Sequence, residues 1–242
     1  MEDYLCRHWQ MMLWIIFLIV CGRYILLAGS AYLIFYKSAT SKWKKYKIQQ
    51  RLPGKNQIDN ELLYSLSTIC IFSVVGIIIY LLYRTGHTTI YLKISKHGWF
   101  YLIGSFVAMI ILHDAYFYLT HRLLHTRWFL KNIHIVHHRS TNPTPLAAYC
   151  FHPVEAFIES LIVFPFVTIF PVHLTFLILV MNVVGHLGFE FLPRSFRTSS
   201  FGRMLTSSTH HNLHHQKANK NFGYYFTWWD KALKTLHKDT YM

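Results

Sequence analysis

Long apolar runs dominate the chain and predict membrane-spanning helices. The first extends from Met11 to Tyr36, the second from Leu62 to Tyr83 and the third from Trp99 to Thr120. About 20 apolar residues span the hydrocarbon core of a bilayer, so each run is long enough for one helix. Arg23 interrupts the first run, and because a charge is costly in lipid we expect it to face a partner or water.

A fourth apolar run, Val154 to Phe191, contains Pro165 and Pro171. Because proline breaks helices, this run predicts a helical hairpin whose two arms return to the same membrane face. The fold class expected is therefore an all-α integral membrane protein with about four transmembrane or re-entrant segments. We expect residues 1–98 to form N-terminal membrane helices with a basic loop, and residues 99–242 to form a second, histidine-rich domain.

Composition agrees with a membrane protein. The chain has 242 residues, of which 53% are hydrophobic and 14% are charged, whereas an ordinary soluble domain carries about 25% charged residues. This composition excludes disorder and disfavours a water-soluble enzyme. The four cysteines contain no CxxC motif, so neither a disulfide framework nor a thiolate metal site is indicated.

The basic residues predict how the chain is oriented. The formal charge is +14, and because the basic residues flank apolar runs, anionic lipid headgroups are a simpler partner than nucleic acid. Residues 37–61 contain seven Lys or Arg and residues 84–98 contain three. Basic short loops face the cytoplasm. We therefore expect a cytoplasmic helical cap that contains every histidine cluster.

Histidine is the unusual residue, with 17 copies. The clusters are an HxxxH motif at 121–125, an HxxHH motif at 134–138 and a second HxxHH motif at 211–215, which His210 precedes; His186 lies between them. Helical residues three and four apart share a face, and neutral imidazole is the commonest metal ligand. So many imidazoles exceed what one ion accepts, which predicts two ions. Beside lipid-facing helices, they suggest a redox metal that activates O2 against a hydrocarbon.

The motifs resemble those of the fatty acid hydroxylase / sterol desaturase superfamily of integral-membrane di-iron enzymes. The resemblance covers roughly residues 114–235, and the Pro143-Thr-Pro145 and Phe151-His-Pro153 segments look most similar to the sterol C5-desaturase branch. Two positions depart from the usual pattern. Phe222 replaces the tyrosine of the usual Asn-Tyr-Gly motif, and Lys234 replaces a usual glycine.

The resemblance implies an enzyme that hydroxylates or desaturates a sterol-like or long-chain lipid in the bacterial inner membrane or endoplasmic reticulum. It implies two iron ions, O2 as oxidant, and a separate electron donor of cytochrome b5 or ferredoxin type. No catalytic residue beyond the metal centre is predicted. The implied iron ligands are His121, His125, His134, His137, His138, His186, His211, His214 and His215.

Four further residues are expected to support the ligands. We expect Asp114 to hydrogen-bond a ligand imidazole, the alternative being a carboxylate within the helix that pairs with Arg122 or another cation. His152, which Glu155 could hold, has two possible roles, one as a supporting residue and one as a structural residue. His210 adjoins the last motif, and Glu190 lies four residues after His186. The expected supporting residues are therefore Asp114, His152, Glu190 and His210.

Two other classes of protein also fit several spans and many histidines. One is a membrane metal transporter or metal store, which should place its ligands near the middle of the bilayer. The other is a non-catalytic relative that binds lipid. The predicted position of the histidines, after the spans rather than within them, favours the oxidase.

Overall fold

The computed structural model describes residues 2–38, 40–91, 93–169 and 175–241. Within these ranges the chain is helical and forms no strand, although two isolated β-bridges occur. This confirms the all-α fold class. The α-helices, numbered α1 to α13, are Glu2–Tyr24, Ser30–Tyr32, Thr40–Trp43, Lys55–Arg84, Gly98–Leu124, Arg127–Phe129, Ile135–His138, Pro153–Ser160, Val163–Ile169, Thr175–Gly185, Arg194–Thr198, Ser208–Lys217 and Trp228–Ala232.

Three helical stretches are long and apolar enough to cross a membrane. They are His8–Lys37, Lys55–Arg84 and Gly98–Leu124, and each contains one of the three predicted spans. The first is not uniformly α-helical, because α1 and α2 alternate with the π-helical turns Ile25–Gly29 and Leu33–Ser38. The pattern of the sequence located these spans because their apolar length is a local property.

The end of the first span, the start of α4 and the end of α5 all lie at the same end of the molecule. The Tyr36 hydroxyl donates to the Leu187 carbonyl at 3.1 Å. Gln57 donates through Nε2 to the Asn142 carbonyl at 2.8 Å. The last turn of α5 contains His121. We call residues 121–152 and 186–235, which meet at this end, the histidine layer.

Both ends of the fourth apolar run reach this histidine layer. At its start Glu155 lies 2.8 Å from His134, and at its end His186 follows α10. Between them Val167 accepts a hydrogen bond from the Thr89 amide at 2.9 Å, in the connection between α4 and α5 at the far end of the bundle. The run therefore goes down the bundle and returns, as a hairpin.

Proline accounts for one break in the hairpin. Pro165 lies in the first turn of α9, where backbone N–H groups have no hydrogen-bond partner within the helix, so the missing N–H of proline is tolerated. The preceding helix, α8, has already ended at Ser160. Pro171 lies outside the described residues.

The spans hold a short 3₁₀ turn, Pro145–Tyr149, that lies beneath the histidine layer. Tyr24 and Ser65 both donate to the Leu146 carbonyl, at 2.8 Å and 3.0 Å. The fully buried carboxylate of Glu61 accepts from Thr144 at 2.5 Å. The first two spans therefore pack directly against the histidine-rich part, and the boundary at residue 98 stays a prediction.

Candidate metal centre

Five separate segments supply the histidines of the three motifs and His186. The HxxxH motif ends α5, so that His121 lies in its last turn and His125 directly follows. His134 ends the π-helical turn Leu130–His134, and α7 then presents the rest of that motif. The second HxxHH motif lies on α12, and His186 follows α10. Single π turns are frequent at functional sites, because they reorient side chains within a helix.

The nine histidines implied as ligands come together in two clusters. Within each cluster one ring nitrogen per residue lies within 4.8 Å of the others. Every member is buried or half-buried. Cluster A consists of His121, His125, His134, His138 and His214, and cluster B consists of His137, His186, His211 and His215.

Helical geometry explains how each HxxHH motif serves both clusters. Residues four apart lie nearly above one another, whereas the residue at i+3 projects to one side. His134 and His138 accordingly enter cluster A while His137 enters cluster B. On α12 the assignment is reversed, since His211 and His215 enter cluster B while the i+3 residue enters cluster A. The two motifs thus interlock the clusters.

The spacing of the ring nitrogens fits a bound ion. In cluster A the Nε2 atoms of His125, His138 and His214 are each 3.1 Å from the other two. In cluster B the corresponding distances from His186 are 2.9 Å to His211 and 3.2 Å to His137. Ligand nitrogens about 2.0–2.1 Å from an ion, placed at right angles around it, are about 3 Å apart.

Two buried ring nitrogens also fit the binding of a metal ion. The Nε2 atoms of His121 and His134 are buried in cluster A without a hydrogen-bond partner. An unsatisfied buried polar atom costs about 1–3 kcal/mol. A metal ion among these five rings would satisfy both atoms, so the donor set fits a metal.

The opposite nitrogens of five rings are held by hydrogen bonds. When Nδ1–H donates to an oxygen, the tautomer is fixed and the lone pair of Nε2 is directed to the metal. Four acceptors are backbone carbonyls, and one is a carboxylate. The pairs are His121 with Phe222 O at 3.3 Å, His134 with Glu155 Oε1 at 2.8 Å, His137 with Cys150 O at 3.1 Å, His186 with Asn182 O at 2.8 Å and His214 with Lys220 O at 2.7 Å.

Burial keeps these imidazoles neutral. Desolvation, with a smaller effect from neighbouring imidazoles, lowers the pKa of His186 to about 3. Desolvation is also the largest cause for His137, whose pKa is lowered to about 4. Neutral rings can ligate without first releasing a proton, and an all-imidazole donor set suits Fe, Zn, Cu or Ni.

The expectation for Asp114 was wrong in its partner. Its carboxylate accepts from the backbone amides of Tyr225 at 2.7 Å and Phe226 at 3.2 Å, and from Trp228 Nε1 at 2.7 Å. Neither a ligand imidazole nor Arg122 is its hydrogen-bond partner. The acid instead fastens the loop after α12 to α5, because three donors converge on one fully buried side chain.

His152 and Glu190 also have partners other than the ligands. His152 accepts through Nδ1 from the Val154 amide at 3.2 Å and so caps α8. Glu190 accepts from the Leu192 and Thr209 amides, both at 3.0 Å. Since Thr209 lies in the first turn of α12, the Glu190 carboxylate is placed where the helix dipole favours a negative charge.

His210 faces away from both clusters. Its Nε2 lies 3.1 Å from Oδ2 of Asp230, and both side chains are fully buried. Asp230 also accepts from the amides of Phe222 and Gly223 at 2.9 Å. A side chain at Gly223 would clash with the Phe226 carbonyl, which explains why glycine occupies this turn. The Asn-Phe-Gly and Trp-Asp segments are therefore one structural unit behind cluster A.

Glu155 is a supporting residue whose partner differs from the one that the sequence suggested. The sequence offered His152 as a residue that it could hold, but it lies against His134, and both side chains of this pair are 2% exposed. A carboxylate in an apolar helix near three histidine motifs was the available signal. Its partner depended on how α8 packs against α7, which the sequence does not encode locally.

A cavity of about 320 Å³ lies beneath the clusters, between the spans and the hairpin. Most of its wall is apolar, with residues such as Ile16, Val75 and Val163. Two rings of the wall also contact ligands. The Phe117 ring centroid lies 5.0 Å from that of His121, and Phe151 lies 5.2 Å from His137.

The fold and site thus define a helical membrane protein with two histidine clusters, each of which could hold a metal ion, above a largely apolar cavity. The chain belongs to the fatty acid hydroxylase family, whose family model matches residues 106–235. This confirms the resemblance inferred from the motifs.

The relatives that match include enzymes of sterol metabolism. The chain is 34% identical over 187 residues to lathosterol oxidase of Rattus norvegicus, covering 73% of this chain and 60% of the relative. It is 32% identical over 182 residues to Delta(7)-sterol 5(6)-desaturase ERG3B of Gibberella zeae, covering 73% and 55%. The chain thus spans about 60% of the length of these relatives. No solved structure matches it. These similarities confirm the branch that the motifs indicated.

Proposed function

We propose that the protein is an O2-dependent di-iron oxidase that desaturates or hydroxylates a lipid, with a sterol as the preferred class. The observation that carries this proposal is the pair of all-imidazole clusters directly above an apolar cavity. The clusters adjoin each other, since the ring centroids of His138 and His215 are 5.1 Å apart. The names of both relatives favour a sterol, and the name of the relative from Gibberella zeae favours desaturation.

Each part of the site has a distinct task in this proposal. Bound iron would supply the O2 chemistry that removal of hydrogen from an unactivated carbon requires. The buried carbonyls and Glu155 keep five of the nine imidazoles in the ligating tautomer. The cavity holds the substrate carbon against the Phe117 and Phe151 side of the clusters, and its apolar wall excludes water. Orientation of this kind decides whether an alcohol or an alkene results.

The position of the histidine layer supports a proposal for the side of the membrane on which the site lies. It lies at the same end as the basic residues 37–55, which supports a cytoplasmic location. An electron donor of cytochrome b5 or ferredoxin type would then approach this face. Because the clusters lie at the ends of the spans, the site does not resemble a transporter site near the middle of the bilayer.

The test is reconstitution with defined iron. Purified protein is loaded with Fe²⁺, and we expect about two ions per chain by metal analysis. Reductant, O2 and lathosterol are then supplied, and sterol products are measured by mass spectrometry. We expect His137→Ala to abolish product, whereas His87→Ala, an exposed histidine at the far end of the bundle, should retain it. Product formation by His137→Ala at the wild-type rate would refute the proposal, and metal flux in vesicles without sterol oxidation would favour a transporter.

A further inference from the structure

The wall of the cavity beneath the clusters contains polar side chains, and only some of them already form hydrogen bonds within the protein. Its volume of about 320 Å³ falls in the range of small-molecule sites. Two of its hydroxyl groups already donate to backbone carbonyls. Ser160 donates to Phe157 at 2.7 Å, and Tyr224 donates to Ile178. Neither hydroxyl proton is therefore available to a ligand.

Glu159 is the carboxylate in the cavity wall. It is half-buried, and it lies one helical turn beyond Glu155, which is about 6 Å along α8. Since Glu155 contacts His134, Glu159 lies just below the level of cluster A. Thr120, its polar neighbour on α5, already donates its hydroxyl proton to the Tyr116 carbonyl at 2.9 Å. The carboxylate thus faces the cavity as a hydrogen-bond acceptor.

The charges around the cavity restrict what the acceptor can bind. Arg23 also lines the cavity, from the first span. Because charges of both signs line one chamber, a carboxylate or an ammonium headgroup would meet a like charge as well as an opposite one. A hydroxyl group, which is neutral and donates one proton, fits a carboxyl acceptor inside a largely apolar wall.

We propose that Glu159 accepts a hydrogen bond from the hydroxyl group of the substrate, a sterol alcohol, and so sets which carbon lies beneath the histidines. This inference rests on the proposed function, because it assigns the polar end of the substrate of that oxidase. A hydroxyl held one turn below the ligands places the neighbouring ring carbons next to Phe117 and the clusters. Glu159 is accordingly a specificity-determining residue.

The experiment measures binding without turnover. Full-length protein in detergent, without reductant, is titrated with lathosterol and with its 3-methyl ether in competition with labelled lathosterol. The ether retains the sterol body but cannot donate a hydrogen bond. Leaving a buried carboxyl oxygen without its hydrogen-bond partner corresponds to a preference of about 10- to 100-fold for the alcohol, and we expect this preference in the wild type.

Three variants decide the outcome. Glu159→Leu should bind alcohol and ether equally, and Glu159→Gln, which keeps a neutral acceptor, should show an intermediate preference. Ser160→Ala, on the same helix and cavity wall, should keep the full preference. Equal binding of the two ligands by the wild type, or an unchanged preference in both Glu159 variants, would overturn the proposal. The Gln variant keeps the shape of the side chain, so it decides the question should the Leu variant fail to fold.

The two proposals fail in distinguishable ways. A preference that depends on Glu159, in a protein that never oxidises sterol with iron and O2, would uphold this site and refute the oxidase. Oxidation of sterol without any dependence of the preference on Glu159 would uphold the oxidase and refute this site.

Discussion

Removal of the Glu155 carboxylate should weaken iron binding at cluster A alone. Its Oε1 lies 2.8 Å from Nδ1 of His134, and both side chains are 2% exposed, so water cannot replace the lost acceptor. In Glu155→Ala the Nδ1–H of His134 becomes a buried donor without a partner. Loss of such a partner typically lowers metal affinity about 10- to 100-fold, which corresponds to about 1.4–2.8 kcal/mol.

The assay is retention of iron against a chelator. Wild-type protein loaded with iron is titrated with a competing chelator, and metal per chain is followed. We expect Glu155→Ala to lose one ion at a chelator concentration about 10- to 100-fold lower, while the second ion stays, because Cys150 and Asn182 hold the rings of cluster B. Glu155→Gln, which keeps a neutral acceptor, should lie between. Glu159→Gln, one turn along α8, serves as the control for iron retention. Wild-type retention of both ions in Glu155→Ala would refute the argument that this pair orients a ligand.

Three further predictions concern stability. Lys234 has φ +59°, in the left-handed region that favours glycine. Lys234→Gly should therefore raise the free energy of unfolding, measured by thermal unfolding, by about 1 kcal/mol. Lys234→Ala is the control, and an equal gain there would contradict the backbone explanation. Asp114→Asn places an amide N–H against one of the groups that now donate a hydrogen bond to Asp114, so the free energy of unfolding should fall by about 1–3 kcal/mol. An unchanged melting temperature would show that these hydrogen bonds contribute nothing to stability. In metal-free protein the pKa values of His137 (about 4) and His186 (about 3) lie below the unfolded value of about 6.5, so the unfolded state binds more protons in acid. Stability should be complete above about pH 6.5 and fall as the pH decreases towards 4, and a midpoint independent of pH over this window would contradict neutral burial of the rings.

The structure explains the two departures from the family pattern in different ways. At position 234 a lysine adopts a conformation that suits glycine, which is a local backbone cost. At position 222 the phenylalanine packs against the ring of His125, with centroids 5.0 Å apart, and its carbonyl accepts from His121. The packing and the carbonyl contact need the ring and the backbone, and neither uses a tyrosine hydroxyl.

The sequence by itself determined the features that depend on short separations along the chain. Apolar length located the spans, and the i, i+3 and i+4 spacing showed which histidines share a helical face. The number of imidazoles predicted two ions, and the motifs identified the family. These properties are local, because helix geometry relates residues within one or two turns.

Only the tertiary structure decided how the nine rings divide and what holds them. His121 and Phe222 are separated by 101 residues, and His134 and Glu155 by 21, so these contacts depend on how helices pack and not on spacing. The same packing turned Asp114 towards a loop, made His152 a helix cap and left Glu159 facing a cavity. A buried polar group takes whichever partner packing brings within reach, and for this reason the clustering of the histidines could be predicted while their supporting partners could not.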